Sequence, residues 1–186
     1  MRVMTASGNI EQEVLLIAGR SGSGKTSVSF EVSDQLQKAD VAHCLVDGDN
    51  LDTAYPKPTG GPEGIGLTEA NLTALWRNYT AVGQHRLVYV NTVSVFEYEM
   101  IIRSMGGAAR AIGVILTATD ATVLARLTGR EVGGALGRHL QRSSAMAAHL
   151  ETTASRILRI STDARTVVDV ARDVVDATGW STASAQ

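Results

Sequence analysis

The sequence predicts an α/β fold, a parallel five-stranded sheet with helices on both faces. Three observations predict it. Apolar runs and amphipathic segments alternate five times without an internal repeat. The first run, "VLLIA" at 14–18, is apolar throughout, as a strand buried on both faces must be. A glycine-rich loop joins that run directly to a helical pattern. With 186 residues and no linker, one domain spanning 1–186 is expected.

The elements follow in order. After the strand at 14–18, Val28, Val32 and Leu36 recur at four-residue spacing and predict a helix over 26–38. "VAHCLV" at 41–46 reads as a second strand ending in an acidic loop. Residues 55–66 hold all three prolines and several glycines, the signature of a long mobile loop beside a site. Thr68 is expected to cap a helix over 69–82. "RLVYVNTV" at 86–93 predicts a third strand, and "SVFEYEMIIRSMGG" a helix or turn closed by Gly106 and Gly107. A fourth strand is expected at roughly 110–118, then a helix capped by Asp120. A loose glycine-rich stretch leads to a helical pattern from His139, then a fifth strand, "RILRIST". A last helix closes at Gly179.

Composition narrows the function. The net charge of −2 gives no bulk attraction to nucleic acid or to an anionic membrane. No apolar run reaches the roughly 18 residues of a membrane span, and the first residues do not read as a signal peptide, so a cytoplasmic location is expected. Cys44 is the single cysteine, which excludes an internal disulfide, and it reads as a small buried side chain. His43, His85, His139 and His149 show no metal-ligand spacing. Trp76, Tyr79 and Val82 read as either core or homodimer contacts.

The chemistry concentrates in three segments. Gly19, Arg20, Ser21, Gly22, Ser23, Gly24, Lys25 and Thr26 satisfy G-x-x-x-x-G-K-[ST] in full, with Ser27 following. Glycines let backbone N–H groups turn inward around phosphates, and the helix start adds its dipole. Lys25 is placed to reach the β- and γ-phosphates, and the Thr26 hydroxyl to ligate Mg²⁺. "DGDN", Asp47 to Asn50, follows the second strand at the edge where open parallel sheets bind ligands. A carboxylate there can take an acceptor hydroxyl's proton or hold Mg²⁺ through water, so Asp47 is also a metal candidate. Asp-Gly is equally a turn signal. Finally, Arg126 and Arg130 share one helix face, as do Arg138 and Arg142, with three glycines between the pairs. This suits a lid over about 126–143 that closes on transferring phosphates, although a solvated helix face has the same spacing.

Together "GRSGSGKT", "LVDGDNLD" and "ATVLARLTGR" resemble the P-loop group of nucleotide and small-molecule kinases, most of all adenylylsulfate kinase and its relatives. The resemblance spans about 13–178. It implies a three-layer P-loop NTPase fold with a five-stranded parallel sheet in the order 2-3-1-4-5 and a short arginine-rich lid. It implies ATP and Mg²⁺ as cofactors and phosphoryl transfer to a hydroxyl or phosphate of a small acceptor. Lys25, Asp47, Asp49, Arg126 and Arg130 are the implied catalytic set. Asp49, Asn50 and Arg77 are the implied substrate residues, and Asp163, Ala164 and Arg165 would border the adenine. The chain also departs from the pattern. Leu51 and Asp52 follow DGDN where adenylylsulfate kinases carry an arginine, and the next helix has only Arg77. A different, less anionic acceptor is expected. The third strand ends without an acidic residue, as it does in those kinases.

Two other readings share these motifs. One is a regulatory nucleotide-binding NTPase without an acceptor, which the missing arginines favour and the lid opposes. The other is a phosphotransferase that modifies an antibiotic hydroxyl.

Overall fold

The computed structural model describes residues 11–56, 58, 59, 66–128, 150 and 157–181. Five strands form one sheet: β1 (Gln12–Gly19), β2 (Cys44–Asp47), β3 (Arg86–Val90), β4 (Ala109–Thr117) and β5 (Leu158–Ser161). All neighbours are parallel, and the order is β2-β3-β1-β4-β5. β1 is central, running from Glu13 beside Arg86 to Ile17 beside Val90, with β4 in register along its other edge.

The helices are α1 (Lys25–Lys38), α2 (Leu67–Ala81), α3 (Tyr98–Ser104), α4 (Asp120–Thr128) and α5 (Val167–Thr178). Alternation along the strands sorts the core into two halves. Leu15, Ile17, Val88, Val90, Val114 and Leu116 face α1 and α5. Val14, Leu16, Ala18, Leu87, Tyr89 and Ile115 face α2 and α3. Every one of these twelve side chains is buried, so the sheet is covered on both faces and its C-terminal edge is left as the place for chemistry.

Several boundaries differ from the sequence pattern, each for a local reason. β2 begins at Cys44, not Val41, because the Val41 N–H closes the end of α1 on Leu36 O. His43 Nδ1 donates to Val41 O at 2.7 Å, and its Nε2 takes the Ser33 hydroxyl. β3 ends at Val90, because the Asn91 side chain accepts the Val93 N–H and turns the chain. Thr68 is not a cap: α2 starts at Leu67, behind Gly66, with no side-chain cap. Asp120 is not a cap either. It is the first residue of α4, and Thr119 Oγ1 takes the Thr122 N–H in its place. Thr166 caps α5 and Gly179, at φ 68°, closes it.

Trp76 belongs to the core, Tyr79 packs partly against it, and Val82 is exposed. Among the described residues no helix is long and apolar enough to cross a membrane, and none gathers with its neighbours into a cluster of metal-ligating side chains. Most of the loop expected at 55–66, the helical pattern expected from His139, and all of Arg130, Arg138 and Arg142 lie outside the described residues.

Candidate active site

β1 ends at Gly19 and α1 begins at Lys25, so the glycine-rich loop sits at the C-terminal edge of the central strand. Its glycines are there for space as much as for conformation. A Cβ on Gly19 would stand 2.6 Å from Leu116 O, and one on Gly22 2.9 Å from a Val123 methyl. Gly22 and Gly24 have φ of 82° and 95°, which side-chain-bearing residues rarely adopt. Ser23 N–H closes the turn on Arg20 O, and α1 opens with its first amides free of side-chain caps. Amides so placed are ready to receive an anion.

Lys25 folds back, and its Nζ donates to Arg20 O at 3.3 Å. Burial pulls its pKa down, while the charges of Asp49 and Asp47 push it back up. A cavity of about 190 Å³ opens here, walled by the loop with Lys25, Thr26, Ser27, Asp49, Thr92 and Arg126. A larger, open concavity of about 940 Å³ lies at the other end of the sheet, beside Gln12 and Arg110, and contains none of the motif residues. Size alone would select the wrong place; the chemistry selects the smaller cavity.

The acidic segment divides its labour. Asp47 Oδ1 accepts the Asp49 N–H at 3.0 Å and caps the single 3₁₀ turn Gly48–Asn50. That turn carries Asp49 into the cavity wall and leaves Asn50 exposed at its end. Gly48 permits the fold: a Cβ there would lie 2.3 Å from the Tyr89 hydroxyl. Burial raises the Asp49 pKa, Lys25 opposes this, and Asp47 and Asp52 add to it.

Thr92, which the sequence did not single out, also lines the cavity, and next to it in the chain Asn91 holds Glu97. Asn91 Nδ2 donates to Glu97 Oε2 at 3.1 Å. Burial and then the Asp49 charge raise the Glu97 pKa. The available signal was position: Asn91 and Thr92 follow β3 at the C-terminal edge of the sheet.

The arginines separate. Arg20 is 4% exposed, and its side chain reaches α4, donating to Asp120 Oδ1 at 2.5 Å and Ala118 O at 3.0 Å. It braces the loop, and a nucleotide would meet its backbone. Arg126 crosses from α4 to the loop, donating to Gly22 O at 3.2 Å and to Thr162 Oγ1 and O at 3.0 Å each. It therefore holds the phosphate loop against the end of β5. Arg165 lies in the loop after β5 and pairs with Asp173 at 2.8 Å. Beside it, Asp163 accepts from the Thr119 N–H and hydroxyl, and the hydroxyls of Thr122, Thr119 and Ser161 with that N–H lower its pKa to about 2. Arg77 is not brought to the site. It is exposed next to Trp76, whose Nε1 donates to Gln12, the first residue of β1. Gln12 itself is about 23 Å along β1 from Gly19, so this part of α2 packs at the end of the sheet away from the loop.

Sheet order and phosphate loop define the class, a P-loop protein with the fold of the small-molecule kinases. The comparisons carry this further. Residues 11–92 match the family model for adenylylsulphate kinase. Solved structures share the fold over most of the chain. The adenylylsulfate (APS) kinase CysC of Mycobacterium tuberculosis is 22% identical with a TM-score of 0.54, covering 90% of this chain and 98% of its own. A gluconokinase from Sinorhizobium meliloti is 18% identical at 0.58, covering 89% and 90%. The tunicamycin resistance protein of Deinococcus radiodurans is 17% identical at 0.62, covering 91% and 96%. None of the curated proteins compared matches in sequence. The fold and phosphate loop are those of P-loop proteins, and both the family match over 11–92 and the solved structures make the chain similar to small-molecule kinases.

Proposed function

We propose that the protein transfers the γ-phosphoryl group of ATP to a hydroxyl or phosphate of a small molecule. The observation that carries this is a single cavity walled by Lys25, Thr26, Asp49 and Arg126 at the C-terminal edge of the sheet. The loop amides and Lys25 hold the β- and γ-phosphates. Thr26 and the acidic turn supply hard oxygen donors, which fits a magnesium ion carried in with the nucleotide. Asp49 faces the acceptor and takes its proton as the new O–P bond forms, and the bond to the β-phosphate oxygen breaks to release ADP. Asp47, whose Oδ1 caps the turn, holds Asp49 in place. Lys25 and Arg126 offset the charge that develops on the moving group. Arg130 would join them from the lid, and the segment at Asp163 and Arg165 would border the adenine.

The test is ATP binding by calorimetry, followed by transfer of labelled γ-phosphate to a panel of small acceptors. Lys25→Ala is expected to abolish ATP binding. Asp49→Asn is expected to keep it and lower transfer by about 10²–10⁴-fold. A panel in which nothing is labelled, with an Asp49→Asn protein that behaves as the parent, would leave a nucleotide-binding NTPase as the better reading.

A further inference from the structure

At the N-terminal edge of the sheet, away from the phosphate loop, a serine and a histidine meet. Ser33 lies on the third turn of α1, and His43 directly precedes β2. The Ser33 hydroxyl is 2.7 Å from His43 Nε2, and His43 Nδ1 is 2.7 Å from Val41 O. The two contacts fix the tautomer. A carbonyl oxygen only accepts, so Nδ1 carries the proton of the neutral ring. Nε2 is then bare, and the Ser33 hydroxyl donates to it. Nucleophile, base and orienting acceptor thus stand in line, each within the reach that nucleophilic catalysis needs. Val41 is itself held, because its N–H closes α1 on Leu36 O.

Both side chains are half-buried, and both line a cavity of about 370 Å³ whose other walls include Gln37, Asp40 and Gln84. Gln84 makes an independent observation. Its side-chain oxygen is buried and has no hydrogen-bond partner. A buried amide in that state is uncommitted and open to a polar guest. None of the residues lining the cavity is a lysine or an arginine, and Asp40 is the one acidic residue among them. A phosphate or carboxylate would find no cation there, so the cavity suits an uncharged molecule.

We propose that Ser33 is a nucleophile with His43 as its general base, and that the cavity takes small uncharged acyl esters. This activity is separate from phosphoryl transfer. Ser33 Oγ attacks the ester carbonyl carbon, and its proton passes to His43 Nε2. The ester C–O bond breaks, and the departing alkoxide takes that proton as an alcohol. Water, deprotonated by the same nitrogen, then attacks the acyl-serine, releases the carboxylic acid and restores Ser33. Val41 O keeps the ring in the tautomer that starts the cycle. The Gln37 and Gln84 amides are the neutral N–H donors on the wall for the carbonyl oxygen as its charge develops.

The experiment incubates the full chain with p-nitrophenyl acetate and locates the acetyl group by fragmentation mass spectrometry. Ser27, exposed on the same helix, is the internal control. Ser33 is expected to be acetylated about 10-fold or more faster than Ser27. This comparison needs only the parent protein. His43→Gln should slow acetylation of Ser33 by about 10²-fold. Imidazole in solution should restore part of the rate to His43→Ala, which a histidine that only ties α1 to β2 would not allow. ATP affinity, read at the other edge of the sheet, should stay unchanged in both variants and reports an intact fold. Absence of acetyl from Ser33, equal acetylation of Ser27, or a His43→Gln protein acetylated at the parental rate would each overturn the inference.

Discussion

The two ends of the sheet treat the same chemical group in opposite ways. At the N-terminal end, Glu13 is 8% exposed and lies between Arg86, at 2.9 Å, and Arg110. Burial pushes its pKa up, but the two guanidinium groups outweigh this and hold it below the usual carboxylate range. At the C-terminal end, Asp49 is exposed and Glu97 is partly buried. The charges of Asp49 and Asp52 add to the rise in the Glu97 pKa, and only Lys25 opposes the rise in the Asp49 pKa. Glu13 has two cationic partners built in; Glu97 is held by the neutral Asn91 amide, and Asp49 has only the charge of Lys25 to oppose its neighbours. A carboxylate with built-in partners supports the fold, whereas one without them is free to meet a ligand, and its environment favours taking up a proton.

Substitutions can break that contrast. The largest effect on stability is expected from Glu13→Gln, which leaves Arg86 and Arg110 around a neutral amide. It should lower the free energy of unfolding in urea by about 2 kcal/mol while ATP affinity stays unchanged. The sign with pH follows from the lowered pKa: this contribution is present above the unfolded carboxyl pKa of about 4.5 and disappears as pH falls through the folded value. Parent and variant should therefore converge in acid, and a stability gap that survives at low pH would refute the assignment.

Arg126→Ala comes next. It removes the bonds to Gly22 O and Thr162 that hold the loop to α4 and β5. Loss of this brace is expected to raise KM for ATP about 10-fold with a smaller change in thermal stability. An unchanged KM would show that the loop keeps its shape without α4.

The smallest effect sharpens the comparison from the other side. Asp49 and Glu97 have raised pKa values, so their stabilising contribution is full below the unfolded pKa and is lost as pH rises through the folded one. Ionising them at neutral pH thus opposes folding. Asp49→Asn and Glu97→Gln are expected to raise Tm at pH 7 by about 1–3 °C while lowering turnover. A fall in Tm for both would mean that they are structural, as Glu13 is.

The fold was largely legible because its signals are local. The unbroken apolar run 14–18 required a strand covered on both faces, and β1 is that strand, lengthened by Gln12, Glu13 and Gly19, whose polarity or missing side chain hid them. The caps were harder to read. Thr68 and Asp120 have the right chemistry, but a cap depends on which residue turns into the helix. Asp120 was already taken by Arg20, a partner one hundred positions away. The site was legible in half. The phosphate loop is contiguous, so spacing alone identifies it. The acidic side is drawn from the ends of β2 and β3 and the start of α3, and nothing in their spacing announces that Asn91 holds Glu97 or that the charge of Asp49 reaches it.

By itself the sequence determined the α/β alternation, the phosphate-binding loop and the acidic turn, because each is written within a dozen consecutive residues and rests on periodicity or on glycine's freedom. Only the tertiary structure decided which charged residues work together. It used Arg20 and Arg126 to brace the loop, placed the Arg77 stretch of α2 beside the start of β1, and fixed Glu97 on Asn91. The reason is physical. A charge acts over a few ångströms of space, and the chain order says little about which groups that distance will join.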